Sequence, residues 1–118
     1  MVLVIIDTLR ADHLSVYGYD RPTSPQIDRL AQQGVLFDDA IAAASWTLPS
    51  HASMMTGTYP HVHHTDTFKK QLPAKFPTLA SAFESDGYRT AAFSANTFFF
   101  SRQHGFGHGF THFGDFFQ

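Results

Sequence analysis

Val2-Leu3-Val4-Ile5-Ile6-Asp7 opens the chain as an unbroken apolar run that ends on a carboxylate. Four of its five apolar residues are β-branched. A run with no polar alternation fits a strand buried on both faces, as in a parallel sheet. Asp7 then sits at the strand's carboxyl end, just where open α/β sheets bind ligands. The same place also suits a plain cap for the turn that follows.

Outward from this run the punctuation is regular. Thr23 or Ser24 can cap a helix with Pro25 at its first position. Ile27, Leu30 and Ala31 follow at i, i+3 and i+4, and Gly34 is a stop. Residues 35–41 read as a second extended segment. Residues 49–56 read as a short helix opened by Pro49 and closed by Gly57, with Thr47 just before its N-terminus. Residues 59–76 are polar and irregular. Residues 77–83 begin another helix, with Leu79 and Phe83 on one face and Gly87 as its stop. Residues 89–95, around Ala91-Ala92-Phe93, read as a third strand. Strand, helix, strand, helix, strand is the alternation of an α/β fold.

Composition narrows the function. A chain of 118 residues is one ordinary domain and excludes a two-domain enzyme within this length. The absence of cysteine excludes disulfides, thiolate zinc sites and a cysteine nucleophile. Lys+Arg 8 against Asp+Glu 10 argues against a nucleic-acid or anionic-membrane partner. Eight histidines make metal chemistry worth testing. No stretch is long enough to span a membrane, and the opening run is too short for a signal peptide. If Met1 is the true start, the expected place is the cytoplasm. Eight of the 13 phenylalanines lie between Phe98 and Phe117. The expectation is that this tail exposes apolar rings and drives self-association.

The strongest local feature is Thr47-Leu48-Pro49-Ser50-His51-Ala52-Ser53-Met54-Met55-Thr56-Gly57. A helix N-terminus presents free N–H groups and the positive end of the dipole, which favour an anion. A hydroxyl held there can attack phosphorus or sulfur, provided a metal or a base activates it. Capping by Thr47 and Ser50 is the plainer alternative. The Asp7 carboxylate and the Thr47 hydroxyl could together hold one divalent ion, which would acidify the hydroxyl. Oxygen ligands suit calcium, magnesium or manganese. His61-Val62-His63-His64 is a weaker metal candidate, near Asp66. His104, His108 and His112 recur every fourth residue, but Gly105, Gly107 and Gly109 argue against a helix there. Gly105-Phe106-Gly107-His108-Gly109 lacks the flanking strand and helix of a nucleotide loop.

These segments carry a resemblance. Val4 through Leu14, Thr23-Ser24-Pro25-Gln26-Ile27-Asp28-Arg29-Leu30-Ala31, Trp46-Thr47-Leu48-Pro49-Ser50-His51-Ala52-Ser53 and Thr56-Gly57-Thr58-Tyr59-Pro60-His61 resemble the N-terminal part of the sulfatase family, within the alkaline phosphatase superfamily. Pro77-Thr78-Leu79-Ala80 and Asp86-Gly87-Tyr88-Arg89-Thr90-Ala91-Ala92-Phe93 fit it too. The resemblance implies an α/β fold with helices around a mostly parallel sheet. It implies hydrolysis of sulfuric or phosphoric esters with a divalent metal, calcium first, then magnesium, manganese or zinc. It makes Asp7 a metal ligand and Thr47 the nucleophile and a second metal ligand. His51 and His61 become substrate contacts, and the partner is a small sulfate or phosphate ester.

Three departures stand out. Sulfatases carry Cys or Ser at the nucleophile position, for conversion to an aldehyde; Thr47 cannot follow that route and is similar to the threonine of phosphoethanolamine transferases. Thr8 replaces a second acid, and His51 replaces an arginine. A lysine-bearing segment after Arg89-Thr90-Ala91 is replaced by Phe93-Ser94-Ala95-Asn96. The family's remaining metal ligands come from the second half of a longer chain, so residues 1–118 are expected to be a partial domain. The alternative function is a non-catalytic chain that keeps the fold as an interaction module. The expectation for the isolated chain is association without measurable ester hydrolysis.

Overall fold

The structure is a computed structural model that describes residues 1–115. It divides into two compact units, Met1–Ile41 and Ala42–Gln118.

The first unit is built on one helix, α1 (Pro25–Gln33), and two single 3-10 turns at Ala11–His13 and Ser15–Tyr17. Pro25 takes the first helical position and Gly34 ends the helix, as their backbone preferences dictate. Ser24 stands at the N-cap, yet its hydroxyl serves the packing of the turn against the helix. Its Oγ accepts the Ser15 N–H at 3.1 Å and donates to Asp28 Oδ1 at 3.0 Å, while Ser15 Oγ donates to Asp28 Oδ2 at 2.6 Å. A polar network therefore holds a unit with no fully buried apolar side chain among its described residues.

The expected strands at residues 2–6 and 35–41 do not form. Val2, Val4 and Ile6 are exposed, and so are Val35, Phe37 and Ile41. A strand is stable only when its backbone groups are paired in a ladder. Among the described residues the one sheet joins two other segments. The apolar reading of these runs stands as composition, but the ladder that would make them strands is missing.

The second unit is organised by α2 (Thr47–Thr56), which buries Leu48, Pro49, His51, Ala52, Ser53 and Met55. A helix buried nearly all round is a core helix. It begins two residues earlier than its proline suggests: Pro49 is the third helical residue, not the first. The first four N–H groups of a helix have no intrahelical partner, so a proline costs little there. Gly57 ends the helix in the left-handed region, φ 67°. The polar stretch that follows contains one short helix, α3 (Pro60–His63), before α4 (Leu79–Ser85). Thr78 caps α4: its Oγ1 accepts the Ser81 N–H at 3.0 Å and Ser81 Oγ accepts the Thr78 N–H at 2.7 Å.

Strand β1 (Ala91–Ser94) confirms the expected third strand. It pairs in parallel with β2 (His112–Asp115), Ala91 opposite His112 and Ser94 opposite Asp115. A parallel pair needs a long crossover, here residues 95–111, and this crossover holds five of the 13 phenylalanines. They do not stay wet as a block. Phe106 and Phe113 are buried with Leu48, Ala52, Met55, Leu72 and Ala80, while Phe99, Phe100 and Phe110 pack against this core. Phe98 is exposed; Phe116 and Phe117 lie outside the described residues. The rings of Phe100 and Phe106 are 4.6 Å apart, and those of Phe110 and Phe113 5.7 Å.

The glycine run in this crossover serves packing. Gly109 has φ +82°, and a Cβ there would lie 2.2 Å from the Ser81 nitrogen and 2.5 Å from its Cα. The bare backbone fits against the first turn of α4, where Thr78 Oγ1 donates to His108 O at 3.1 Å. Gly109→Ala should therefore cost about 3 kcal/mol. Left-handed backbone accounts for roughly 1–2 kcal/mol of that, and overpacking against backbone that cannot swing aside supplies the rest. A urea midpoint unchanged in this variant would refute the account.

Candidate active site

The chemistry-bearing segment begins at Trp46, the N-cap of α2. Its own side chain makes no capping bond. Trp46 instead packs on Phe68 and Phe99, with ring centroids 4.9 and 5.8 Å away. This anchors the point at which the chain turns into the helix. Thr47 is the first helical residue and half-buried. It lies inside the first turn rather than before it, still among the residues whose N–H groups point out of the helix end.

One turn later, His51 lies on the same face as Thr47. Its Nδ1 donates to the Thr47 carbonyl at 2.9 Å. A carbonyl only accepts, so the proton sits on Nδ1. The ring of Phe100 lies 5.4 Å away and tilted, closing off one side. His51 is 7% exposed. The structure thus joins Thr47 and His51 directly.

His61 sits on α3, exposed, its ring stacked 6.0 Å from Tyr59. What ties α3 to α2 is a pair that the sequence reading did not single out. His63 is fully buried, and its Nε2 is 3.0 Å from Ser53 Oγ on α2. Its Nδ1 accepts the Thr65 N–H at 3.0 Å. A backbone N–H only donates, so the His63 proton is on Nε2 and faces the serine. Both ring nitrogens are engaged, which removes His63 from the metal candidates in this segment. Burial pulls its pKa below the usual histidine value; Asp66 opposes this, and His64 and His61 reinforce it. Polar residues flanking a helix stop, Ser53 before Gly57 and His63 after it, were the available signal.

Asp7 belongs to the first unit. Its Oδ1 accepts the Thr8 N–H at 3.0 Å, and Thr8 has φ 58°. That is an uncommon backbone region for a β-branched residue, so the carboxylate stands at a strained turn rather than at the end of a formed strand. The remaining histidines form no stripe. His104 closes a 3-10 turn with Nδ1 3.2 Å from Ser101 Oγ, and His112 lies on β2.

The sulfatase family model matches residues 1–118. This chain belongs to the sulfatase family. It is 34% identical over 102 residues to human arylsulfatase H, covering 76% of this chain and 18% of that protein. It is 33% identical over 93 residues to mouse iduronate 2-sulfatase, covering 76% of this chain and 17% of that protein. In three dimensions it is similar to the crystal structure of a proposed sulfatase from Bacteroides thetaiotaomicron VPI-5482, with TM-score 0.73 and 27% identity over 86% of this chain and 22% of that one. The chain spans about a fifth of the length of these sulfatases. The α/β fold with its small parallel sheet is that of the family.

Sulfatases in general use a divalent metal ion. Carboxylate and hydroxyl oxygens are donors that suit a hard cation of this kind. Among the described residues no group of three or more His, Asp or Glu side chains could hold one. No helix is long and apolar enough to cross a membrane, among the described residues.

Proposed function

We propose that this sulfatase-family chain carries the nucleophile of an ester hydrolase, and that its ester is a phosphate or phosphonate in preference to a sulfate. The observation behind this reading is Thr47, a hydroxyl on the first residue of a buried core helix. Its Oγ1 bonds to phosphorus as the P–O bond of the ester breaks. The hydroxyl proton ends on the departing alcohol, and water later cleaves the phosphothreonine. The helix end favours the anionic oxygens throughout. Threonine cannot yield the aldehyde that Cys or Ser supplies in sulfatases, which disfavours the sulfate branch. His51 and His61 are proposed as substrate contacts. Asp7 is proposed as a carboxylate ligand of a divalent ion, calcium before magnesium, manganese or zinc.

The test compares an aryl phosphate and an aryl sulfate as substrates of the complete gene product, with calcium supplied. The phosphate should be turned over at least about tenfold faster, the equivalent of about 1.4 kcal/mol in transition-state stabilisation. Faster cleavage of the sulfate would overturn the phosphate preference. Cleavage of neither would favour a chain that keeps the fold as an interaction module.

A further inference from the structure

In the second unit, residues 71–74 and the glycine-rich turn at residues 102–108 form a cleft of about 570 Å³. That volume lies in the range of small-molecule sites, roughly 300–1,000 Å³. Thr47, His51 and His61 are not among the residues that line it. Its two sides are locked together through the backbone. The Leu72 N–H donates to His104 O at 2.9 Å. Gly105, at φ +84°, lies so close to Leu72 that a Cβ there would strike the Leu72 carbonyl oxygen.

The one Lys or Arg side chain in the lining is Arg102. Among the described residues no Asp or Glu lines the cleft, and none stands within ion-pair distance of this guanidinium. The arginine is nonetheless held. Its Cζ lies 5.5 Å from the ring centroid of the buried Phe113. Its stem runs over the bare face of Gly107, where a Cβ would come within 3.0 Å of Cγ and 3.3 Å of Nη1. A ring face attracts a cation but takes up little of its hydrogen-bonding capacity, so the guanidinium N–H groups stay available. Among the described residues they have no acceptor. The backbone N–H groups of Gly107 and His108 likewise donate to no described residue.

We propose that this cleft binds a small organic carboxylate, with Arg102 taking the carboxylate and Pro73 and Ala74 facing the apolar body that carries it. A guanidinium is a planar fork that meets the two oxygens of a carboxylate together. A single guanidinium brings one positive charge, which a monoanion balances and a phosphate dianion would exceed. Gln71 adds amide donors to the same lining. The proposal stands independently of the ester site at Thr47.

Titration of the complete gene product with benzoate tests it at about pH 7.5, well above the carboxylate pKa of about 4. Benzamide is the neutral control of the same size. Benzoate should bind at least about tenfold more tightly than benzamide, the size expected of hydrogen bonds to a charged partner. Arg102→Gln should abolish this preference. Arg102→Lys keeps the charge and an aliphatic stem over Gly107 but loses the fork, and should retain only part of it. Lys75→Gln removes a positive charge beside Ala74 but outside the lining, and should leave the preference in place; an equal loss there would assign it to the general field of the unit and overturn the site. Acetate should displace bound benzoate at lower concentration than inorganic phosphate; the reverse order would make this a phosphate site and overturn the carboxylate. Thr47→Ala should leave benzoate affinity unchanged, and a loss there would place benzoate at the ester site instead. Equal binding of benzoate and benzamide, or a full preference in Arg102→Lys, would also overturn the proposal.

Discussion

Thr47→Ala in the complete gene product should lower turnover of a phosphate monoester by roughly three orders of magnitude or more, with little change in folding. The size follows from the role: removing an attacking atom leaves only binding and the electrostatics of the site. The helix should survive because alanine is the best helix former and the N-cap residue Trp46 is packed on Phe68 and Phe99. Thr47→Ser keeps the hydroxyl at the same helical position and should retain most of the rate. The measurement is kcat for both variants, with unfolding midpoints alongside. Loss of activity in the serine variant equal to that in alanine would point to packing of the threonine methyl instead. Undiminished activity in the alanine variant would remove Thr47 from the chemistry.

The elements that were legible in the sequence are those set by local chemistry. Pro25 and Gly34 bracket α1, Gly57 closes α2, and Ala91-Ala92-Phe93 is at the centre of β1. Where expectation failed, a non-local requirement decided. Residues 2–6 and 35–41 have strand composition, but a strand is a pairing, and no described residue supplies the ladder. Strand β2 has the opposite history. His-Phe-Gly-Asp carries almost no strand signal, yet it pairs because the crossover brings it beside β1. The start of α2 was misplaced because a proline is tolerated anywhere in a first turn, not only at its first position. At the site, Thr47 was legible as a hydroxyl at a helix N-terminus, and His51 only through the family resemblance. The latch between Ser53 and His63 was not, since a buried serine and histidine ten residues apart are joined only after Gly57 reverses the chain.

That latch makes the second unit sensitive to acid, and the sign is fixed by its geometry. His63 accepts at Nδ1 from the Thr65 N–H, so a second ring proton would set two donors against each other. Burial already holds its pKa below the usual histidine value, with nearby Asp66 only partly offsetting this. Above about pH 6.5, the ordinary histidine value, folded and unfolded chains are both neutral at this residue and stability is complete. As the pH falls through that value the unfolded chain takes up the proton first, and stability is lost until the lower folded pKa is reached. Urea unfolding should thus give a lower midpoint at pH 5.5 than at pH 7.5. His63→Gln offers a non-titrating amide with one donor and one acceptor to Ser53 and Thr65, and should flatten this difference. His63→Ala leaves both partners unpaired around a cavity and should cost about 3 kcal/mol or more at either pH. Asp66, Lys70 and His61 remain in the glutamine variant, so a pH difference that persisted there would assign the acid sensitivity to them. The consequence reaches the site itself: α3 carries His61 and is fastened to the helix of Thr47 and His51 through this one buried ring.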